Sequence, residues 1–264
     1  MSFNAIEIAK HIINWLDEYS NKSGVENFVV GVSGGIDSAV TATLCAMTRR
    51  PTFIVNMPIH QSSNELNRSD ELMEKLSKDF SNVESIKVNL SDTFDSLTST
   101  LPQIDDKSDG LAMANTRARL RMTTLYALAA ERGALVVGTG NKIEDFGIGF
   151  YTKYGDGGVD ISPIANLVKS EVFELGNALN VPQSILDAPP TDGLWGDERN
   201  DEDQIGATYR ELEVAMKQSH DFENGIGSPD DLVGREAEVF AIYTKLNKEN
   251  QHKMLPIPIC IIPR

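Results

Sequence analysis

Eight consecutive residues concentrate the groups that could hold a phosphate: Gly31, Val32, Ser33, Gly34, Gly35, Ile36, Asp37 and Ser38. The paired glycines remove side chains, so backbone N–H groups can reach anionic oxygens. Ser33 and Ser38 add hydroxyl donors. Asp37 by itself would repel a phosphate, and its presence in the loop calls for a bridging Mg²⁺, which prefers hard carboxylate oxygens. No lysine follows the glycines, so this is not the loop GxxxxGK[ST] of the common phosphate-binding proteins.

Other polar residues cluster at definite spacings. Asn115 and Arg119 lie four apart in a helix-forming stretch and share one face. Arg117 and Arg121 share another, where they are expected to be solvated helix charges. Thr139 and Glu144 belong to the run Gly-Thr-Gly-Asn-Lys-Ile-Glu after an apolar tetrad. Residues 150–160 hold Lys153 and Asp160 within a glycine-rich segment, and Lys169 follows. His252 and Lys253 sit shortly after a last helical pattern.

Positioning these groups requires strands that end where they begin. Residues 28–32, 52–57, 83–90 and 134–138 read as strands, the first, second and fourth as short apolar runs and the third by alternation. Residues 6–19, 39–47, 64–80, 112–132, 168–179, 205–217 and 230–250 read as helices. Strands alternating with helices imply an α/β fold, a Rossmann-like doubly wound parallel sheet, with additional C-terminal helices. Such sheets bind ligands at the carboxyl ends of their strands, where residues 33–38 and 139–144 fall. The glycine-rich segment 147–160 is expected to be a mobile active-site loop. Residues 256–264 contain three prolines and cannot form a regular helix.

Composition narrows the partners. The chain has 264 residues, 41% of them hydrophobic, and a formal charge of -15. Its length fits a single domain over residues 1–264, with a core at about 25–190 and a helical part at about 191–264. The acidic surface disfavours nucleic acid and anionic membranes. No apolar run reaches transmembrane length. The two cysteines, Cys45 and Cys260, form no metal-binding motif, and a reducing cytoplasm is the expected compartment.

The loop at residues 31–38 resembles the SGGxDS loop of the ATP pyrophosphatase (adenine nucleotide alpha hydrolase-like) group, which cleaves ATP between the α and β phosphates. That group makes NAD, GMP, asparagine, argininosuccinate and modified tRNA bases, and the loop alone leaves these open. The segment Thr-Lys-Tyr-Gly-Asp-Gly-Gly at residues 152–158, with the 31–38 loop and the Asn115–Arg119 motif, resembles the ammonia-dependent NAD synthetases over about residues 29–253.

What the resemblance implies is specific. The ATP-binding positions would be Gly31 to Ser38, Thr139, Lys169 and Thr191. Asp37 and Glu144 would bind Mg²⁺. Arg119, Lys153, Asp160, His252 and Lys253 would bind deamido-NAD. Asp37, Lys169 and Lys153 would carry the catalysis. The co-substrates would be ATP and ammonia, with no glutaminase domain in the chain, and the assembly a cytoplasmic homodimer. Two departures stand out: Ile36 occupies a position where many members carry Gln, and the spacing from Glu144 to Lys153 is one residue longer than in some members.

Overall fold

The computed structural model describes residues 3–102, 110–190 and 200–263. Its centre is a parallel sheet of β1 (Asn27–Gly31), β2 (Thr52–Asn56), β3 (Val83–Lys87) and β4 (Ala134–Val137), in the order β3-β2-β1-β4. The direction of winding reverses at β1, since β2 and β3 extend to one side and β4 to the other. The carboxyl ends of β1 and β4 therefore lie next to each other, which opens a crevice for a ligand.

The apolar runs form strands because both faces of the sheet are covered. Phe28, Val30, Ile54, Leu135 and Val137 face one side. They pack there with α1 (Ala5–Ser23), α2 (Ile36–Met47), α3 (Ser63–Asp79) and α6 (Lys169–Ala178). Val29, Phe53, Val55 and Val136 face the other side, against α4 (Ser91–Thr100) and α5 (Leu111–Arg132). Cys45 is buried in the first of these cores. The helices carry local start signals: the side chains of Asn4 and Ser62 accept bonds from the N–H groups of Glu7 and Glu65 at the starts of α1 and α3.

Three local differences from the sequence reading matter. Helix α2 begins at Ile36, not Ala39, so Asp37 and Ser38 belong to its first turn. Helix α4 was not anticipated, because its Ser- and Thr-rich sequence has weak helix propensity and buries only Phe94. Residues 205–217 do not form one helix: beyond the short α7 (Gln183–Leu186), α8 (Asp201–Ile205) ends at Gly206, and α9 (Tyr209–Glu223) starts from a Thr208 cap.

After β4 the chain forms a π-helix, Ile143–Ile148. A π turn holds more residues than an α turn, and here it carries Glu144 and Asp145 in its first turn. Ile143 and Ile148 are fully buried against Tyr209 and Leu212 of α9 and Val239 and Tyr243 of α10 (Gly234–Met254). The C-terminal helices are thus docked on the segment that carries Glu144. After α10 the chain runs without regular structure through residue 263, with Ile257, Ile259, Ile261 and Ile262 exposed. Among the described residues, no helix is long and apolar enough to cross a membrane.

Candidate active site

Lys169 is the centre of the crevice. It opens α6, is 4% exposed, and extends its Nζ to Asp37 Oδ2 at 2.5 Å and Glu144 Oε1 at 3.0 Å. Burial opposes the lysine's charge, but the two carboxylates outweigh it and push its pKa up. Burial pulls the Asp37 carboxyl up as well, partly offset by Lys169.

Asn141 locks the two carboxylates in register. It is fully buried, its Nδ2 donates to Asp37 Oδ1 at 3.1 Å, and its Oδ1 accepts from the N–H groups of Ile143 and Glu144. Tyr209 closes the other side. Its hydroxyl donates to Glu144 Oε1 at 2.7 Å and Asp201 Oδ2 at 3.2 Å, and its ring lies 4.6 Å from Lys169 Nζ. Burial, with the charges of Glu144 and Asp201, holds that phenol well above its ordinary pKa, so it remains a donor.

The phosphate loop joins β1 to α2 and braces itself with its own hydroxyls. Ser33 and Ser38 Oγ atoms are 3.2 Å apart, Ser38 Oγ donates to Gly35 O, and Gly35 N donates to Ser33 Oγ. The N–H of Ala39 is bonded back to Gly35 O at 3.1 Å. Those of Ile36, Asp37 and Ser38 precede the helix's own bonding and can face an anion.

Loop, Lys169, Thr139 and Glu144 line one cleft with a free volume of 230 Å³. Met57, Met122, Leu125 and Val159 give it an apolar wall. Arg121 is part of that wall and donates from Nε to Met57 O at 3.0 Å. It is therefore no solvated helix charge. Nor is Arg117, whose guanidinium stacks 4.4 Å from the Phe94 ring. Both were misread because α4, which supplies Phe94, and the end of β2 come from remote sequence.

Asp145 also faces the cleft, and it fills the space a side chain at residue 140 would need: a Cβ on Gly140 would overlap its carboxylate. Burial, then the charges of Glu144, Asp156 and Asp37, push the Asp145 carboxyl up to about 8. The folded state thus holds a proton that the unfolded chain, with an ordinary aspartate near 4, has released. Stability is full below pH ~4 and is lost as pH rises toward ~8. In metal-free buffer, Asp145→Asn should raise the melting temperature by a margin that widens from pH 5 to pH 8 and then levels, measured by differential scanning calorimetry. A margin independent of pH would disprove the assignment.

A second group lies on the outer side of the turn 149–158. Arg119 Nε donates to Lys153 O, Lys153 Nζ to His252 O, and Lys253 Nζ to Gly149 O and Tyr151 O. Asn115 accepts from the Thr152 hydroxyl at 2.6 Å, so Asn115 and Arg119 do grip the same segment. The turn is cross-linked further by bonds from Gly155 N and Gly157 N to Thr152 O and from Thr152 N to Asp156 Oδ1. The glycine-rich segment is thus a turn bonded to itself at residues 152–158. Asp160 stands apart: its oxygens accept from Tyr126 Oη and Val136 N, tying α5 to β4. Thr191 lies outside the described residues.

Sequence reasoning missed Asn141, Asp145, Asp201 and Tyr209. Asn141 and Asp145 sit inside or beside a run already singled out for Thr139 and Glu144. Asp201 and Tyr209 gave no local signal. Among the described residues, no group of three or more His, Cys, Asp or Glu is arranged to hold a metal by itself. The carboxylate oxygens of Asp37 and Glu144 converge on Lys169 Nζ.

Comparison with known proteins fits this arrangement. A family model described as NAD synthase matches residues 8–256. The NH(3)-dependent NAD(+) synthetase of Carboxydothermus hydrogenoformans is 37% identical, with 96% of each chain covered. The solved structure of NMN synthetase from Francisella tularensis superposes with a TM-score of 0.81 at 33% identity, covering 99% of each chain. An NH3-dependent NAD synthetase from Campylobacter jejuni, solved in complex with nitrate ion, superposes at TM-score 0.78 and 24% identity, covering 98% of this chain and 100% of that one.

Proposed function

This chain belongs to the NAD synthase family, and from that premise we propose that it converts deamido-NAD to NAD with ATP and ammonia, releasing AMP and pyrophosphate. The observation that carries the proposal is the convergence of the phosphate loop, Lys169 and the Asp37–Glu144 pair in one cleft.

The nicotinate carboxylate attacks the α-phosphorus of ATP, and pyrophosphate departs with the electrons of the broken P–O bond. Ammonia then adds to the acyl carbon of the adenylated nicotinate, loses a proton, and expels AMP. The first-turn N–H groups of α2 hold the phosphates, and the Ser33 and Ser38 hydroxyls brace the loop that presents them. Lys169 stabilises negative charge developing on phosphate oxygens. Asp37 and Glu144 are the residues that would hold Mg²⁺, whose positive charge would offset that of the phosphates. Asn141 and Tyr209 keep those carboxylates aimed. Tyr151 and Phe150 of the 149–158 turn border the cleft and help exclude water, which would hydrolyse the acyl adenylate. Arg119, Lys153 and Lys253, on the outer side of the same turn, supply positive charge for the acceptor's phosphates, and His252 a ring nitrogen for a hydrogen bond. A homodimer is part of this reading, supported by the exposed isoleucines after α10. So is a cytoplasmic location, supported by two free thiols.

A second reading keeps the chemistry and shortens the acceptor. The likeness to an NMN synthetase at 33% identity favours nicotinate mononucleotide as an alternative substrate. Both readings are tested by one assay for AMP and amide product with ATP and Mg²⁺, pairing each acceptor with ammonium or glutamine. NAD formed from deamido-NAD with ammonium alone is the expected result. A kcat/KM at least tenfold higher for the mononucleotide would replace the acceptor. AMP formation with neither acceptor would refute the proposal.

A further inference from the structure

The phosphate loop has a second face, and the residues there are not those of the main cleft. Helix α3 crosses the outer side of the loop and places Arg68 against Gly34. Arg68 Nε donates to Gly34 O at 3.1 Å. A smaller cavity opens at this point, lined by Ser33, Gly34, Gly35, Asp37, Lys169 and Arg68. It shares Ser33, Gly35, Asp37 and Lys169 with the main cleft, so the loop forms the wall between two compartments.

The charges on the two sides differ. The main cleft is lined by five acidic side chains, Asp37, Glu144, Asp145, Asp156 and Asp201, against Lys169 and Arg121, and of these Asp145 is held protonated. The smaller cavity has Asp37 and Glu65 against Lys169 and Arg68. Among the described residues, Arg68 has no carboxylate within ion-pair distance, and its Nε bond to a backbone carbonyl fixes the guanidinium plane. A fixed guanidinium presents paired N–H groups that match phosphate oxygens. The proposed reaction breaks the bond between the α and β phosphates and leaves a highly charged pyrophosphate. That group needs a cation besides Lys169, and the smaller cavity offers Arg68.

We infer that Arg68 binds the β- and γ-phosphates of ATP, and the pyrophosphate they become, from the outer face of the phosphate loop. The inference rests on the adenylation chemistry proposed above. Attack by the acceptor's carboxylate oxygen forms the new P–O bond on the adenylate side, while the severed pyrophosphate stays with Arg68 until release. Arg68 so becomes a substrate-binding residue contributed by the β2–α3 half of the sheet.

The test is the exchange of labelled pyrophosphate into ATP, run with Mg²⁺ and deamido-NAD and without ammonia, in the wild type, Arg68→Ala and Arg68→Lys. In Arg68→Ala, the pyrophosphate concentration giving half-maximal exchange should rise at least tenfold, with Arg68→Lys intermediate. Inhibition by AMP, which lacks the β- and γ-phosphates, should change less than threefold. Unaltered pyrophosphate dependence in Arg68→Ala would overturn the inference. Equal weakening of AMP and pyrophosphate would also overturn it, because that pattern marks collapse of the loop. Absence of exchange in the wild type would instead reject the adenylation chemistry itself.

Discussion

Lys169→Ala should lower the rate of AMP formation by roughly 100- to 1000-fold, the scale of losing one fixed group that stabilises transition-state charge. The same variant should also be less stable. Lys169 is buried between Asp37 and Glu144, and removing one partner of a buried ion pair leaves uncompensated charge at a cost of about 3–5 kcal/mol. The two effects are separable. Adding Asp37→Asn to Lys169→Ala removes one stranded carboxylate, so denaturant unfolding should recover part of the lost stability while activity stays absent. Single-turnover AMP release gives the rate. A Lys169→Ala enzyme within tenfold of wild type would remove the lysine from the chemistry and leave it a structural role.

The second large effect is expected from one methyl group. Gly34 has φ of +89°, and a Cβ there would lie 2.7 Å from the carbonyl oxygen of Glu65. An L-residue at that φ is strained by about 1–2 kcal/mol before the overlap is counted. Relief requires the loop to move away from α3. A displacement of about 1 Å at a reacting centre lowers turnover about 100-fold, so Gly34→Ala should reduce kcat/KM for ATP by that factor. Its neighbour is the control. Gly35 has φ of -96°, and a Cβ there meets only Ser33 Oγ at 3.4 Å. Gly35→Ala should therefore unfold close to wild type in denaturant, while Gly34→Ala loses stability measurably. Equal stabilities would show that the loop yields without strain.

Much of the architecture was written locally. Apolar runs of four or five residues, too short for helices and buried on both faces, defined β1, β2 and β4. The glycines and serines between β1 and α2 marked the phosphate loop, because glycines leave no side chain between an anion and the free N–H groups of a helix start. The spacing of Asn115 and Arg119 placed both on one face, and both do hold residues 152–153. Local signals faded where propensity was weak, as in Ser- and Thr-rich α4, or where periodicity does not distinguish a π turn from an α turn, as at Ile143–Ile148.

By itself, then, the sequence determined the strand–helix alternation, the phosphate loop and the residue types that approach it. It did not determine which of them touch. Lys169 meets Asp37 across 132 residues of chain, and Tyr209 meets Glu144 across 65. Those contacts exist because α6, α9 and the π-helix pack on one another through Ile143, Val168 and Leu212. The same packing logic drew Arg117 and Arg121 partly out of solvent and set Asp160 to bracing β4. Periodicity reports which face of an element is apolar. It carries no information on which remote element will cover that face, and the polar partners that arrive with that element become known only once the tertiary contacts close.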